Sequence, residues 1–337
     1  MKKIRIGQIG LGHNHGEAKM IGIRKFPELF EVVGYSEKDE EWIKKRGNCK
    51  GYEGLKRYDE DELIDMCDAL LIETDIWELT ETAMKCVKKG KHIHMDKPAS
   101  GTIEEYKELL DKAKEKNLVV QLGYMYRYNP AIVKCVEMIK NGELGEIYGI
   151  NAEMSVYHGE AYKKWLRNFR GGTMFILGSN LLDLIVYIMG KPNKVTSFIK
   201  RTGLDGIDVD DNNFAVLEYD KAICKINTSS VEVNGYGRRQ FVVSGSKGTA
   251  CIMPIENPCK MWVATKDMTN NIYSDVKREI EIDDNTKDGR YDDVLRDFYD
   301  YVCGKKVNPY TYEHDYAVQE TLARITDGIV FNSKIKI

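Results

Sequence analysis

Residues 4–16 read Ile-Arg-Ile-Gly-Gln-Ile-Gly-Leu-Gly-His-Asn-His-Gly, an apolar strand pattern that runs into a glycine-rich turn and then a helical segment. Glycines at such a turn let the backbone bend tightly and approach a pyrophosphate at a helix N-terminus. The pattern departs from the usual dinucleotide fingerprint, because His15 takes the place of the third glycine and Gly16 follows it. Five residues are therefore expected to border a bound dinucleotide: Gly10, Gly12, His13, Asn14 and His15.

The first 120 residues alternate short apolar runs with charged amphipathic segments. Strands are predicted at 3–9, 31–35, 69–73, 91–95 and 118–122, and helices at 13–25, 40–46, 60–66, 77–88 and 103–116. A parallel sheet requires such alternation, because each parallel step needs a crossover connection. Residues 1–123 are therefore predicted to form a Rossmann dinucleotide-binding domain.

After Tyr124 the pattern changes to strands in series. Helices are predicted at 130–140 and 173–189, strands at 147–157, 194–201, 213–219, 222–231, 238–244, 249–253, 261–265 and 277–282, and terminal helices at 290–303 and 314–331. Consecutive strands without helices between them indicate a mostly antiparallel sheet. The predicted fold class is α/β, with residues 124–337 as a second α/β domain carrying a large, open, mostly antiparallel sheet.

Composition narrows the classes of partner. With 337 residues, 42% of them hydrophobic, and a formal net charge of -3, the chain is expected to be a soluble globular protein. Its basic residues are scattered, which argues against nucleic acid or an anionic membrane and favours a small-molecule ligand. No signal segment or membrane span is evident, so a cytoplasmic location is expected. The eight dispersed cysteines are expected to be reduced thiols.

Two further positions concern the dinucleotide. Glu37 lies at the end of the second predicted strand, where a carboxylate can accept hydrogen bonds from ribose hydroxyls and would repel a 2'-phosphate. NAD is therefore expected as the cofactor and NADP is disfavoured, although Lys38 next to Glu37 weakens that preference. Thr74, after the strand at 69–73, is expected to contact the dinucleotide, but a plain helix N-cap would explain it as well.

The stretch His92-Ile-His-Met-Asp-Lys-Pro98 is an apolar strand pattern that ends in an acid, a lysine and a proline. Proline stiffens the chain, so Lys97 is expected to have a fixed direction, unlike the lysines on solvated helix faces. The pairs His13/His15 and His92/His94 suggest metal ligands, yet no cysteine or third histidine is placed to complete a site. No metal is expected.

These motifs resemble the Gfo/Idh/MocA family of oxidoreductases. The resemblance rests on residues 10–12, 96–98, 123–130, 142–147, 171–183 and 314–320, which follow one another in the family's order over nearly the whole chain. It implies a nicotinamide near Lys97, a commonly cis Lys-Pro bond, and contacts from Asp96, Pro98 and Arg127 to the cofactor. It also implies an oxidoreductase acting on a sugar or polyol-like alcohol, often a homodimer or homotetramer formed through the second domain's sheet.

One departure from the family concerns the helix at 173–189. Many relatives carry an aspartate and a histidine there, four residues apart, and the histidine accepts the substrate's proton. Here those places are Ile176 and Asn180, while Asp183 is retained one turn on. Lys97 could be the base, or His158, Tyr157 or Tyr126 could replace the histidine, or the chain does not turn over a typical polyol.

A sugar-like ligand also suits other side chains. The segment 157–167 combines aromatic faces with hydrogen-bonding groups, which is typical of sugar sites, although an amphipathic helix or loop on the sheet would give the same pattern. The expected catalytic residues are Lys97, Asn180 and His158. The expected substrate-binding residues are Lys97, Tyr126, Arg127, Tyr157, Trp165, Asn180 and Asp183. For Arg127 a structural role stays open, because an arginine that bridges the two domains through carboxylates would give the same sequence pattern as one that contacts a ligand.

Three functions therefore stay open from the sequence. The first is an NAD(P)-dependent oxidoreductase that moves a hydride between a nicotinamide and a carbohydrate or polyol-like alcohol. The second is an enzyme that cleaves glycosides on the same scaffold by transient oxidation and elimination, with no net redox change. The third is a dinucleotide-binding sensor without catalytic activity.

Overall fold

The protein is described by a computed structural model over residues 3–268, 276–284 and 289–336. Its backbone falls into two compact units. The first comprises Met1–Tyr124 and Tyr291–Gln319, and the second comprises Met125–Arg290 and Glu320–Ile337.

The first unit contains a five-stranded parallel sheet in the order β2-β1-β3-β4-β5. The strands are β1 (Ile4–Ile9), β2 (Phe30–Ser36), β3 (Ala69–Ile72), β4 (His92–Met95) and β5 (Val120–Leu122). The helices are α1 (Gly16–Arg24), α2 (Glu40–Arg46), α3 (Glu60–Met66), α4 (Leu79–Lys88) and α5 (Ile103–Glu115). Because β2 and β3 flank β1 on opposite sides, the chain reverses its winding direction between β1 and β3, and ligands bind at such a reversal in open α/β sheets.

Local sequence signals account for these elements. All four residues of β3 are buried, as expected for a strand of a covered parallel sheet. Helix α5 begins with a capping box, in which the Thr102 hydroxyl accepts the Glu105 N–H and the Glu105 carboxylate accepts the Thr102 N–H. The predicted strands and helices of this region are therefore present, with bounds shifted by a few residues.

The segment Tyr291–Gln319 belongs to the first unit, whereas the predicted division at residues 123 and 124 placed it with the second domain. It contains α9 (Asp292–Val302) and the start of α10 (Tyr312–Thr326). The apolar face of α9 explains its position: Phe298 stacks edge-on against His94 of β4, and Tyr299 against Phe30 of β2. The sequence predicted a helix at 290–303 but not which sheet it covers.

The second unit is built around an eight-stranded sheet in the order β13-β12-β11-β10-β6-β9-β8-β7. Its strands are β6 (Ile147–Glu153), β7 (Lys194–Lys200), β8 (Asn212–Glu218), β9 (Ile223–Ser229), β10 (Gln240–Gly245), β11 (Gly248–Ile252), β12 (Met261–Thr265) and β13 (Arg278–Ile280). Only the β6–β9 pair is parallel among the ladders of this sheet in the described ranges. The predicted α/β class, with a parallel sheet followed by a mostly antiparallel one, is confirmed.

The helices of the second unit are α6 (Pro130–Lys140), α7 (Glu160–Leu166) and α8 (Ser179–Met189), together with the end of α10. The predicted helix at 173–189 differs at its start, because Met174–Gly178 forms a π-helical turn before α8. Such turns are frequent at functional sites. The predicted helix at 314–331 ends earlier, at Thr326, because Asp327 and Gly328 adopt positive φ angles of 54° and 100°.

The position of α9 leads to a stability prediction. Replacing the fully buried Phe298 with alanine removes the contact with His94 and leaves a cavity, so we expect a loss of about 3–5 kcal/mol in the free energy of unfolding. Val307→Ala is the control, because Val307 is 91% exposed. Urea unfolding of both variants measures the difference, and equal midpoints would contradict the assignment of α9 to the core of the first unit.

Candidate functional site

The glycine-rich turn packs against the end of β3. Gly10 has a φ of 92°, and a Cβ atom there would lie 2.4 Å from the Thr74 backbone nitrogen. A Cβ on Gly12 would lie 2.6 Å from the Asp75 nitrogen. Both positions therefore require glycine, and the turn lies where the winding of the sheet reverses. This is a backbone cradle of the kind that a pyrophosphate fits, with the N-terminus of α1 beginning at Gly16.

Glu37 lies beside this turn. Its carboxylate accepts the Leu11 N–H at 2.7 Å and the Asp39 N–H at 2.9 Å, and burial raises the pKa of the carboxyl group. The neighbouring Lys38 ammonium pairs with Glu78 at 3.3 Å. Glu37 is therefore fixed at the rim of the glycine turn, and the charge of Lys38 is engaged elsewhere.

A tryptophan and an arginine of α2 brace the same turn, and the sequence did not single them out. Arg46 donates to the carbonyl oxygens of Leu11 and Gly12, at 2.8 and 3.0 Å, and stacks on the Trp42 ring at 4.4 Å. The Trp42 indole N–H donates to Asp75 Oδ2 at 2.8 Å. Their i, i+4 spacing on α2 was the available signal.

Beneath the turn lies a buried charged cluster that we define as Lys19, Glu73, Asp96, His13 and His15. The Lys19 ammonium contacts Glu73 Oε1 at 2.7 Å and Asp96 Oδ2 at 2.5 Å, and all three side chains are fully buried. His13 Nδ1 lies 3.2 Å and His15 Nδ1 lies 3.0 Å from the same Asp96 oxygen. The cluster ties α1 to the ends of β3 and β4.

The cluster perturbs the pKa of each of its members. Burial lowers the pKa of His13 well below its usual range and lowers that of His15, so both imidazoles are neutral near pH 7. Burial raises the pKa of Glu73. For Asp96, burial opposes ionisation, but the charge of Lys19 and the hydrogen bond with His15 outweigh it and lower the pKa. Burial also disfavours the charged form of Lys19, yet Asp96 and Glu73 raise its pKa.

The Asp96-Lys97-Pro98 turn follows directly from the cluster. Asp96 Oδ1 accepts the Lys97 N–H at 2.7 Å, so the carboxylate that holds Lys19 also fixes the backbone of Lys97. The Lys97–Pro98 peptide bond is cis, as the family resemblance implied. Gly123, after β5, completes the packing, because a Cβ there would lie 2.9 Å from the Lys19 nitrogen.

In the second unit, several predicted ligand residues are held by protein partners. Arg127 donates to both oxygens of Asp183, at 2.9 and 2.7 Å, and both side chains are buried. The Tyr126 hydroxyl donates to Glu256, which also accepts Arg239 at 2.9 Å. Burial raises the pKa of Tyr126, so its hydroxyl stays protonated. These pairs stabilise the unit and make Tyr126 a poor proton acceptor.

Asn180 is the second residue of α8 and follows the π-helical turn. Its amide nitrogen donates to the carbonyl oxygens of Leu177 and Ile176, at 3.3 and 3.5 Å. Its amide oxygen is buried and has no hydrogen-bond partner among the described residues. A buried acceptor without a partner is costly, so this atom is suited to a donor such as a ligand hydroxyl.

His158, Tyr157 and Trp165 differ in their surroundings. His158 stacks on Tyr162 at 3.9 Å, its Nδ1 atom has no partner among the described residues, and burial lowers its pKa to about 4. Tyr157 is 53% exposed, with the Lys163 ammonium 4.5 Å above its ring. Trp165 is 8% exposed and packs edge-on against Phe169 at 4.8 Å. Trp165 is therefore part of an aromatic core.

Comparison with known proteins agrees with this geometry. Residues 4–124 match the family model described as oxidoreductase family, NAD-binding Rossmann fold, and residues 132–251 match the GFO/IDH/MocA C-terminal domain. The chain belongs to the GFO/IDH/MocA oxidoreductase family. Its N-terminal region is thus an NAD-binding Rossmann fold, as the sequence predicted.

Individual relatives are more distant. The chain is 26% identical over 165 residues to the scyllo-inositol 2-dehydrogenase (NADP(+)) of Bacillus subtilis, which covers 46% of this chain and 46% of the relative. It is 28% identical over 195 residues to glucose-6-phosphate 3-dehydrogenase of the same organism, covering 56% and 54%. The matched stretches thus span about half the length of these curated relatives.

Among solved structures, the fold is similar to UDP-N-acetylglucosamine 3-dehydrogenase of Acidithiobacillus ferrooxidans. The TM-score is 0.77 at 16% identity, and the match covers 98% of each chain. This likeness concerns the fold. Among the described residues, no helix combines the length and apolar character that crossing a membrane requires.

The cluster gives a prediction for Lys19. Lys19→Met leaves two buried carboxylates without their cation, so we expect a loss of about 3–5 kcal/mol in the free energy of unfolding. Lys45→Met is the control, because Lys45 makes an exposed pair with Glu41, and such changes are usually within about 0.5 kcal/mol. Chemical denaturation at neutral pH measures both, and an unaffected Lys19→Met variant would contradict the buried pairing.

His158 gives a prediction about pH. Burial lowers its pKa from the ordinary value of 6.5 to about 4 in the folded protein, so the unfolded chain binds the proton more readily. The free energy of unfolding therefore falls as the pH drops from about 6.5 to 4. His158→Gln removes this contribution, so its unfolding free energy should fall less over that range than that of the unmodified protein. Parallel pH dependences in urea titrations would show that His158 is not held neutral by burial.

Proposed function

We propose that the protein is an NAD-linked oxidoreductase that acts on a secondary alcohol of a carbohydrate or polyol-like substrate. The observation that carries the proposal is the arrangement at the carboxyl end of the first sheet, where Gly10 and Gly12 form a cradle and the Asp96-Lys97-Pro98 turn ends β4. Two of the relatives are named for an inositol and for a sugar phosphate, which supports this substrate class.

Gly10, Gly12 and the N-terminus of α1 would hold the cofactor's pyrophosphate, and Glu37 would face its ribose. Bound NAD supplies the hydride acceptor, and the substrate carbon loses the hydride while its hydroxyl loses a proton. Lys97 is proposed to take that proton. Of the other candidates, Tyr126 is held by Glu256, and His158 is a weak base with a pKa of about 4.

Asn180 and His158 are proposed to bind substrate hydroxyls, because each has a buried polar atom without a partner among the described residues. Arg127 and Asp183 are proposed to shape the site as a fixed pair, since Nε and Nη2 of Arg127 both donate to the Asp183 carboxylate. Tyr157, which is largely exposed, offers an aromatic face. Trp165 supports this region through the aromatic core.

A homodimer or homotetramer formed through the open sheet stays a prediction from the family resemblance. Phe198 of β7 and Ile223 of β9 support it, because these apolar side chains are 52% and 53% exposed on the sheet. The cytoplasmic location likewise stays an expectation from the sequence.

A second function is favoured by Ile176 and Asn180, which stand where many relatives carry an acid and a histidine. In this alternative, transient oxidation is followed by elimination across a glycosidic bond and by return of the hydride. Lys97 and the cofactor site would be kept, and no NADH would accumulate.

Turnover assays separate the two functions. We expect NADH to form steadily from at least one member of a sugar and polyol panel, and Lys97→Met to reduce kcat/KM by at least about a hundredfold, the order of a lost acid–base group. Lys85→Met, an exposed lysine of α4, is the control and should retain activity. Release of sugar from a glycoside without NADH would instead favour the second function, and unchanged activity of Lys97→Met would refute the role of Lys97.

Cofactor preference tests Glu37. We expect kcat/KM to favour NAD over NADP by at least about tenfold, equivalent to about 1.4 kcal/mol of repulsion of the 2'-phosphate. Glu37→Gln keeps a hydrogen-bond acceptor for the Leu11 N–H but removes the negative charge. It should therefore reduce the ratio of kcat/KM with NAD to kcat/KM with NADP. A preference for NADP in the unmodified protein would contradict the proposed role of Glu37.

A further inference from the structure

Two carbonyl oxygens of the glycine turn point to one guanidinium. Arg46, the last residue of α2, donates through Nη1 to the carbonyl oxygens of Leu11 at 2.8 Å and Gly12 at 3.0 Å. The backbone N–H groups of Gly12 and Asn14, by contrast, make no hydrogen bond within the described ranges. A turn that binds a phosphate presents N–H groups to the anion, so its carbonyl oxygens must be satisfied by another donor. Arg46 is that donor here.

The charges around the turn make the same residue important. The Glu37 carboxylate accepts the Leu11 N–H, and Asp75 Oδ1 would lie 3.1 Å from a Cβ atom on Gly12. Two carboxylates this close to the turn oppose the binding of a further anion. Lys38 pairs with Glu78 at 3.3 Å. A guanidinium stays charged at every physiological pH, so Arg46 places a permanent positive charge at the turn.

Trp42 fixes the direction of the Arg46 side chain. The guanidinium stacks on the Trp42 ring at 4.4 Å, and this ring is almost fully buried. The indole N–H donates to Asp75 Oδ2 at 2.8 Å, so the ring itself is held in place. A planar guanidinium that is both stacked and hydrogen-bonded has little freedom to turn away.

We propose that Arg46 is a positioning residue for the dinucleotide, because it turns the Leu11 and Gly12 carbonyl oxygens away from the pyrophosphate and offsets the charge of the flanking carboxylates. Trp42 serves this role by holding the guanidinium against the turn. The inference rests on the proposed use of NAD, but it does not depend on the substrate or on Lys97 as the base. It requires the charge of Arg46 as well as its packing.

Lys45 offers a matched comparison on the same helix. Its ammonium lies 5.2 Å from the same Trp42 ring, but it pairs with Glu41 at 2.8 Å and its side chain is 44% exposed. No hydrogen bond joins Lys45 to the glycine turn in the part of the chain that the structure describes. Loss of the Lys45 charge therefore removes a cation from α2 without changing the contacts of the turn.

Binding measurements on the full chain test the proposal without an activity assay. NADH is followed by its fluorescence, and ADP-ribose, which keeps the pyrophosphate but lacks the nicotinamide, is followed by calorimetry. We expect Arg46→Gln to lower the affinity for both ligands at least about tenfold at low salt. An equal effect on both ligands would assign the loss to the pyrophosphate half of the cofactor.

A second variant separates charge from packing. Arg46→Lys keeps the positive charge, so its affinity should stay within about threefold of that of the unmodified protein. The deficit of Arg46→Gln should shrink when the salt concentration is raised to about 500 mM, because salt screens the interaction of the charge with the ligand. Lys45→Gln should bind both ligands as the unmodified protein does. Circular dichroism and unfolding midpoints establish that each variant is folded.

Three results would overturn the proposal. The first is undiminished binding of ADP-ribose by Arg46→Gln, and the second is an equal loss of affinity in Lys45→Gln. The third is a loss in Arg46→Lys as large as in Arg46→Gln and independent of salt, since the side chain would then act through packing alone. An unmodified protein that binds neither ligand would refute the cofactor site and this role together. Tight binding of both ligands without turnover would count against the proposed activity only.

Discussion

The ion pairs of Lys19 are the constraint on which the first unit depends. Lysine is among the residues that are least often buried, and here its ammonium is fully buried between Glu73 and Asp96. Taking three charges out of water is unfavourable unless each is paired, so the three side chains must stay together. Because they come from α1 and from the residues that directly follow β3 and β4, their pairing holds the glycine turn against the strand ends.

Several local features are explained by that constraint. Asp96 uses one oxygen for Lys19 and the other for the Lys97 N–H, so the lysine proposed as the base is anchored to the same carboxylate. Gly123 lacks a side chain because the Lys19 nitrogen occupies that space. Gln8 supports the turn from below by donating to the Gly10 carbonyl oxygen and to Tyr52.

In the second unit, the polar groups divide into two kinds. Arg127 with Asp183, and Tyr126 with Glu256, satisfy one another in the interior. The Asn180 amide oxygen and His158 Nδ1 are buried without such partners among the described residues. Buried polar groups in folded proteins are nearly always hydrogen-bonded, so the second kind is where we expect ligand contacts. This distinction selects Asn180 and His158 from the longer list of polar residues that the sequence offered as substrate contacts.

Sequence patterns predicted the fold class and the glycine turn, because these depend on local periodicity and on motifs of fixed spacing. They missed Lys19, which looks like one more solvated lysine of an amphipathic helix until β3 and β4 are placed side by side. For Trp165 they left open a sugar contact or packing within the protein, and the structure places its ring edge-on against Phe169. The partners of Lys19, Glu73 and Asp96, are distant from it in the sequence, and one sequence does not specify such pairings.

Our central claim is that the buried pairs of Lys19 shape the cofactor site. The most direct measurement is the affinity for NADH, followed by its fluorescence, in Lys19→Met under conditions where circular dichroism shows that the variant is folded. We predict an affinity at least about tenfold lower than that of the unmodified protein, because a displaced Asp96 also displaces Lys97 and the glycine turn. A folded Lys19→Met variant that binds NADH with undiminished affinity would contradict the account.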